Sequence, residues 1–425
     1  MSDLLTTADS YWNQGLDPSL ANPVSQPTGE WAEVADGTMF LSSFANVITF
    51  DTDDGVVMID AGHLFVADTI HQKVREWRPD SPLHTCVYTH GHVDHVFAVP
   101  KFDAEAESKG WRRPTVVSHR AVPERFDRYV LTAGYNGAIN ARQFSSPGLR
   151  WPTEYRYPDE TYDTERQVAV GDLTLELRHD RGETDDHTWV FDPATRVLCT
   201  GDLFIWCVPN AGNPQKVPRY CRDWYLALRE MATLDPEILL PGHGVPIVGA
   251  DRVRQALTET AELLESIHDQ TVAIMNTGAP LNDVIHGVTV PAHLLERPYL
   301  TPIYDDPEFI IRNIWRLYGG WHDGIASGLK PARTAALAGE IAALAGGASH
   351  LADRAAALAG DDATDHDLRL AGHLADLAAQ AAPDDTAVHA IRASVYRRRQ
   401  QHEPSLMAKG VFGAAARDSE QMVDQ

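Results

Sequence analysis

The chain has 425 residues, 44% of them hydrophobic and 23% charged, and its 36 basic against 60 acidic side chains give a formal net charge of −24. That length and balance describe a globular protein with a substantial core and room for two domains. So acidic a surface excludes nucleic acid and anionic membranes as partners, and any anion specificity has to come from local cations or metals.

The N-terminal stretch Met1-Ser-Asp-Leu-Leu-Thr-Thr-Ala-Asp-Ser10 has neither a basic region nor an apolar run, so no secretory signal is expected. No window reaches the length of a membrane span, and a cytoplasmic location follows as an expectation. Cys86, Cys199, Cys207 and Cys221 lack CxxC spacing and form no disulfide framework. Ala45-Asn-Val-Ile-Thr-Phe50 and Val56-Val-Met-Ile-Asp60 are strand-like runs around the hairpin turn Asp53-Asp54-Gly55. The apolar run Cys86-Val-Tyr88 leads into Thr89-His90-Gly91-His92-Val93-Asp94-His95. Three histidines and an aspartate at that spacing form the pattern of a dinuclear metal site. In an extended segment His90 and His92 point to one face, while Asp94 and His95, past the strand end, turn toward a second ion.

Thr115-Val-Val117, Leu173-Thr-Leu-Glu-Leu177, Thr188-Trp-Val-Phe191, Val197-Leu-Cys199 and Ile238-Leu-Leu240 continue the series of short strands. Several strands end in residues of metal-ligand type, namely His90, Asp202 and His243. Strand ends converging on one sheet edge are how α/β folds build sites. From about residue 250 the texture turns helical. Val253, Leu257, Leu264 and Ile267 recur at helical spacing between Asp251 and Met275. Asp306-Pro307 reads as an N-cap with proline at the first helical position, and Gly319-Gly320 ends that helix. Beyond Lys330-Pro331 the chain is alanine-rich, broken at Gly346-Gly347, Gly360-Asp361-Asp362 and Pro383-Asp384-Asp385, which predicts antiparallel helical hairpins. The reading is therefore a catalytic domain over 1–250 and a helical domain over 251–425.

Four motifs stand in a fixed order: the histidine cluster, Arg181-Gly182-Glu183-Thr184-Asp185-Asp186-His187-Thr188, Thr200-Gly201-Asp202-Leu203-Phe204 and Leu240-Pro241-Gly242-His243-Gly244. In this order they resemble the metallo-β-lactamase superfamily, which implies an α/β fold, the αββα sandwich, over roughly residues 37–250. Where that superfamily has a histidine in the motif corresponding to Arg181–Thr188 this chain has Glu183, which resembles the alkylsulfatase branch. Tyr318-Gly-Gly-Trp-His-Asp-Gly324, followed by Leu329-Lys-Pro331, is similar to the tyrosine-glycine-tryptophan motif of the alkylsulfatase dimerisation domain. Asp202 departs from the glutamate that secreted alkylsulfatases use at the bridging position. No counterpart of their sterol-carrier-like domain is recognised, which leaves the preference for a substrate tail open.

The resemblance implies a first metal held by His90, His92 and Glu183, and a second by Asp94, His95 and His243, with Asp202 bridging. Zn2+, two per chain, is the expected cofactor, with iron or manganese as alternatives. It further implies that Tyr135, Asn136, Asn140 and Arg142, in a loop, contact the sulfate of a substrate. A second cationic donor is sought among Lys216, Arg219 and Arg222, with Arg219 favoured. His187 is expected behind the ligands, and Asp185 and Asp186 either orient ligand histidines or cap a turn. The implied activity is hydrolysis of an organic sulfate by a hydroxide shared between two ions, with Asp94 and Asp202 in catalytic roles, in a homodimer. The alternatives are the same chemistry on a lactone, β-lactam or phosphoester, oxygen chemistry at iron, and a non-catalytic interaction protein.

Overall fold

The computed structural model describes residues 3–15, 22 and 24–424, and among these residues thirteen strands form two sheets. The first sheet holds β1 (Trp31–Ala35), β2 (Thr38–Leu41), β3 (Val47–Thr52), β4 (Gly55–Ile59), β5 (Leu83–Val87), β6 (Thr115–His119) and β7 (Glu160–Tyr162), in that spatial order. Its pairs from β1 to β4 are antiparallel and those from β4 to β7 parallel. The second sheet is built from β8 (Glu165–Val170), β9 (Leu173–His179), β10 (Thr188–Asp192), β11 (Val197–Ile205), β12 (Ile238–His243) and β13 (Ile247–Val248). Only β11 and β12 run parallel in it.

The expected hairpin forms, with Thr52 paired to Gly55 across a two-residue turn. β4 is apolar and buried along its whole length because helices cover the sheet. Helix Ala67–Trp77 buries Ala67, Ile70, Val74 and Trp77 at helical spacing, and helices Val99–Lys109 and Ala121–Leu131 add Phe102, Val122 and Phe126 to the same core. The second sheet carries the fully buried Trp189, and helix Cys221–Thr233 buries Trp224 and Leu228 beside it. The two sheets are stitched at their ends: Thr188 N–H donates to Thr89 O at 2.6 Å, and the Tyr162 hydroxyl meets Thr188 Oγ1 at 2.7 Å. This is the α/β sandwich expected, followed along the chain by helices.

Helix Ala250–Met275 opens the helical stretch, and helix Pro307–Gly319 starts as expected, with the Asp306 side chain accepting from Glu308 N–H. The chain falls into two compact units: Met1–Ala133, Trp151–Ala279 and Asp283–Gly320 form one, and Gly134–Arg150, Pro280–Asn282 and Trp321–Gln425 the other. The change of texture at Ala250 and the division into units thus lie at different places.

In the second unit helices Thr334–Ala345, Ala348–Leu358, Asp365–Ala381, Thr386–His402 and Leu406–Val423 follow one another across the predicted breaks. Thr364 and Asp367 form a capping box, and Asp385 caps the next helix by accepting from Ala387 and Val388. Their core is largely alanine: Ala355, Ala371 and Ala375 pack with Val395, so the helices approach closely. No single helix among the described residues is long and apolar enough to cross a membrane.

Asn46, at the entry to β3, ties the first sheet to the end of β12 and the residue that follows it. Its Nδ2 donates to Pro241 O at 3.0 Å and to Gly244 O at 3.1 Å, while its Oδ1 accepts from Ser43 N–H at 3.1 Å. All of these groups are buried, so Asn46→Ala leaves them unpaired and should destabilise the protein by about 3 kcal/mol in urea denaturation. A loss below about 1 kcal/mol would show that the tie is replaceable.

Candidate metal centre

β5 ends at Val87, and the turn after it presents His90 and His92. His90 Nδ1 lies 3.0 Å from Thr89 Oγ1, and that hydroxyl donates to Asp60 Oδ2 at 2.8 Å. The rear nitrogen of the imidazole is thereby occupied and Nε2 faces forward. The His187 ring stacks on His90 with centroids 4.6 Å apart and fixes its plane. His92 Nδ1 sits 2.8 Å from His90 Nε2 and 3.8 Å from Glu183 Oε1. Glu183, in the loop before β10, accepts from Asn210 Nδ2 and from an Arg219 guanidinium nitrogen on Oε1. Its Oε2 is buried without a hydrogen-bond partner.

Asp202 lies on β11 between two groups of ligands. Its Oδ2 is 3.6 Å from His90 Nε2, while its Oδ1 is 3.4 Å from both His95 Nε2 and His243 Nε2. Asp94 Oδ2 completes the second group, 3.4 Å from His243 Nε2 and 3.7 Å from His95 Nε2. His95 Nδ1 donates to Asp60 Oδ2 at 2.7 Å, and His243 Nδ1 donates to Phe44 O. Asp60 reaches both sides from a left-handed backbone conformation, with φ of 61°, that aspartate tolerates better than most residues. Gly242 is a further constraint: a Cβ there would come within 2.1 Å of Asp202 Oδ1.

These donors fit divalent ions. One atom from each of His90, His92, Glu183 and Asp202, and likewise of Asp94, His95 and His243, lies within 4.8 Å of the others in its group. His95 Nε2, Glu183 Oε2 and Asp202 Oδ1 are all buried without a hydrogen-bond partner, a costly arrangement that a cation relieves. Burial pushes the Glu183 carboxyl up to about 8, against the pull of Arg219 and with the help of Asp202. Against burial, the Asp202 and Asp94 carboxylates push His243 up to about 10. Imidazole and carboxylate donors without thiolate suit zinc and neighbouring divalent metals.

Each predicted ligand therefore falls in one of the two groups, and His187 packs directly behind one of them. Asp186 accepts from Gly91 N–H at 3.1 Å and so holds the ligand turn rather than capping its own. Arg219 is buried against Glu183, and its Nε has no hydrogen-bond partner. Tyr135, Asn136, Asn140 and Arg142 are placed in a helix, Ala133–Gln143, not in the expected loop, and from Gly134 onward in the second compact unit. Asn136, Asn140 and Gln143 share its buried face at helical spacing, and Asn140 Nδ2 donates to Asn136 O at 2.8 Å.

Asp60, Thr89, Asn210 and Arg125 escaped the sequence reading. So did Tyr304, whose phenol burial raises and the nearby Glu183 and Asp94 carboxylates raise further. The Lys216 ammonium is lowered to about 7 by burial and by Arg219, while Asp94 and Glu183 oppose the shift. An aspartate ending the apolar strand before the histidine cluster was the available signal for Asp60; nothing local marked the others.

Residues 40–243 match the family model of the metallo-beta-lactamase superfamily, and residues 280–422 match that of the alkyl sulfatase dimerisation domain. The chain is 26% identical over 320 residues to a linear primary-alkylsulfatase of Pseudomonas sp. (strain ATCC 19151), a match covering 70% of this chain and 60% of that protein. It is 24% identical over 315 residues to an (R)-specific secondary-alkylsulfatase of Pseudomonas sp., covering 68% and 47% of the two chains. The chain thus spans about half to three fifths of the length of these relatives. Among solved structures, the stereoselective inverting sec-alkylsulfatase Pisa1 from Pseudomonas sp. superposes with a TM-score of 0.81 at 18% identity, over 92% of this chain and 66% of that one. The fold is shared even where the sequences have diverged. The chain thus joins a metallo-beta-lactamase domain to an alkyl sulfatase dimerisation domain.

Proposed function

We propose that this protein is a dinuclear zinc hydrolase that cleaves an alkyl sulfate to an alcohol and sulfate. The observation that carries the reading is Glu183, a carboxylate in the first ligand group beside an intact second group, in a chain that also carries the alkyl sulfatase dimerisation domain. The alkylsulfatase relatives support it. Held by these two ligand groups, divalent ions would lower the pKa of water and offset negative charge that develops on the ester.

The chain's own groups do the rest. Asp202 spans both ligand groups, Asp60 and Thr89 aim the imidazoles, and Asp94 joins His95 and His243 at the second position. A substrate anion approaching a protein of net charge −24 needs local cations. Arg219 supplies one beside Glu183, and Lys216, whose ammonium is lowered to about 7, lies over the Trp151 ring at 5.1 Å. Tyr135, Asn136, Asn140 and Arg142 are candidates for the sulfate oxygens on the family resemblance alone. The second domain makes the assembly a homodimer in this proposal.

Metal analysis together with sulfate and alcohol release from short and long alkyl sulfates tests the activity. Two zinc ions per chain with sulfate release is the expected result; two ions with hydrolysis only of lactones, β-lactams or phosphoesters would replace the sulfatase reading. Asp202→Ala should abolish turnover and reduce the metal content, and unchanged activity would remove Asp202 from the site. Sedimentation at micromolar concentration should show a dimer, and a monomer throughout would overturn the assembly.

A further inference from the structure

We infer that Arg125 is a positioning residue for the first ligand group: through Asp186 it fixes the peptide between His90 and His92 and so sets the separation of their two imidazoles. Arg125 comes from helix Ala121–Leu131 and is 4% exposed. Its Nε donates to Asp186 Oδ2 at 2.6 Å, and a terminal nitrogen bonds Asp185. The same Asp186 oxygen accepts the Gly91 N–H at 3.1 Å. Asp186 itself is fully buried. Although burial pushes the other way, the Arg125 guanidinium holds its carboxyl well below the usual carboxylate range.

The contact is also steric. A Cβ on Gly91 would lie 2.9 Å from Arg125 Cδ and 3.1 Å from Asp186 Oδ2, so the arginine stem rests on the bare Cα between the two ligands. A buried ion pair is a weak source of stability, since apolar residues of the same volume serve as well. What this pair adds is geometry: its shared oxygen ends on the one N–H that separates His90 from His92. The second group has supports of its own, Asp60 behind His95 and Phe44 O behind His243. Loss of Arg125 should therefore reach one ion and spare the other.

The inference rests on His90 and His92 being ligands, and the experiment separates the two claims. Arg125→Gln protein is stripped of metal and titrated with Co2+ against a chelator, with the visible absorption of the bound ion recorded. His92→Ala and His243→Ala proteins identify the first and second positions. The expected result is one ion, the one missing from His92→Ala, held more weakly by about tenfold or more with an altered spectrum. The other ion stays at its original affinity, and Arg125→Lys, which keeps the cation but not the fork, falls between. Both ions at wild-type affinity with unchanged spectra, or both weakened equally as a general loss of stability would do, overturns the positioning role. A His92→Ala protein that still holds two ions overturns the ligand assignment instead. Should Arg125→Gln not fold, Arg125→Lys decides on the same two readouts.

Discussion

A buried carboxylate shared between two clusters of donors is the constraint on which this structure turns. Asp202 has one oxygen near His90 and the other near His95 and His243, and it is 4% exposed. An unpaired charge in such a place would cost several kcal/mol, roughly, so the surroundings have to be polar, ordered and complete. They are built from both sheets. β11 brings Asp202, the end of β12 brings His243, and the turn after β5 brings the remaining histidines. Gly242 keeps the space beside Asp202 clear, and Asn46 holds the end of β12 around Gly242 from the first sheet. The packing of the sandwich and the geometry of the site are one arrangement.

The imidazoles show the same logic at the next level. A histidine with a free rear nitrogen rotates and exchanges tautomers; one held from behind presents a fixed lone pair. Asp60 does this for His95 directly and for His90 through Thr89, so a single side chain aims one ligand of each group. Its position follows from topology. β4 pairs parallel with β5, Ile59 opposite Val87, and the next residues along the two strands are then Asp60 and the turn that carries Thr89.

That topology explains what could be read from the chain and what could not. The candidate ligands could be picked out because each sits in a short motif at the end of an apolar run, and the helices were legible because caps such as Asp306-Pro307 and the glycine breaks are local signals. Asp60 and Arg125 were not, because their partners are distant in sequence and meet them only through strand pairing and helix packing. Tyr135 to Arg142 misled in the opposite direction. Asparagine and glycine there suggest a turn, but Asn136, Asn140 and Gln143 fall on one helical face and are buried. Packing decided against local propensity. Gly410 belongs to the same economy of space, since a Cβ there would come within 2.1 Å of Gln143 O.

Glu183 carries a final consequence. A histidine at that position would be a neutral donor, whereas glutamate adds a negative charge to a centre that already holds Asp94 and Asp202. Left alone, that charge would weaken the attraction of the centre for any anion. Arg219 restores the balance. It is buried beside Glu183 and bonded to Oε1, the oxygen also taken by Asn210, so Oε2 alone is left for an ion. The Glu183–Arg219 pair then acts electrostatically much as a neutral ligand does, but with a fixed orientation and a guanidinium edge, Nε, that has no hydrogen-bond partner among the described residues. An arginine sought as an anion contact thus first serves a ligand, and the two roles are compatible because the fork of the guanidinium has more than one edge.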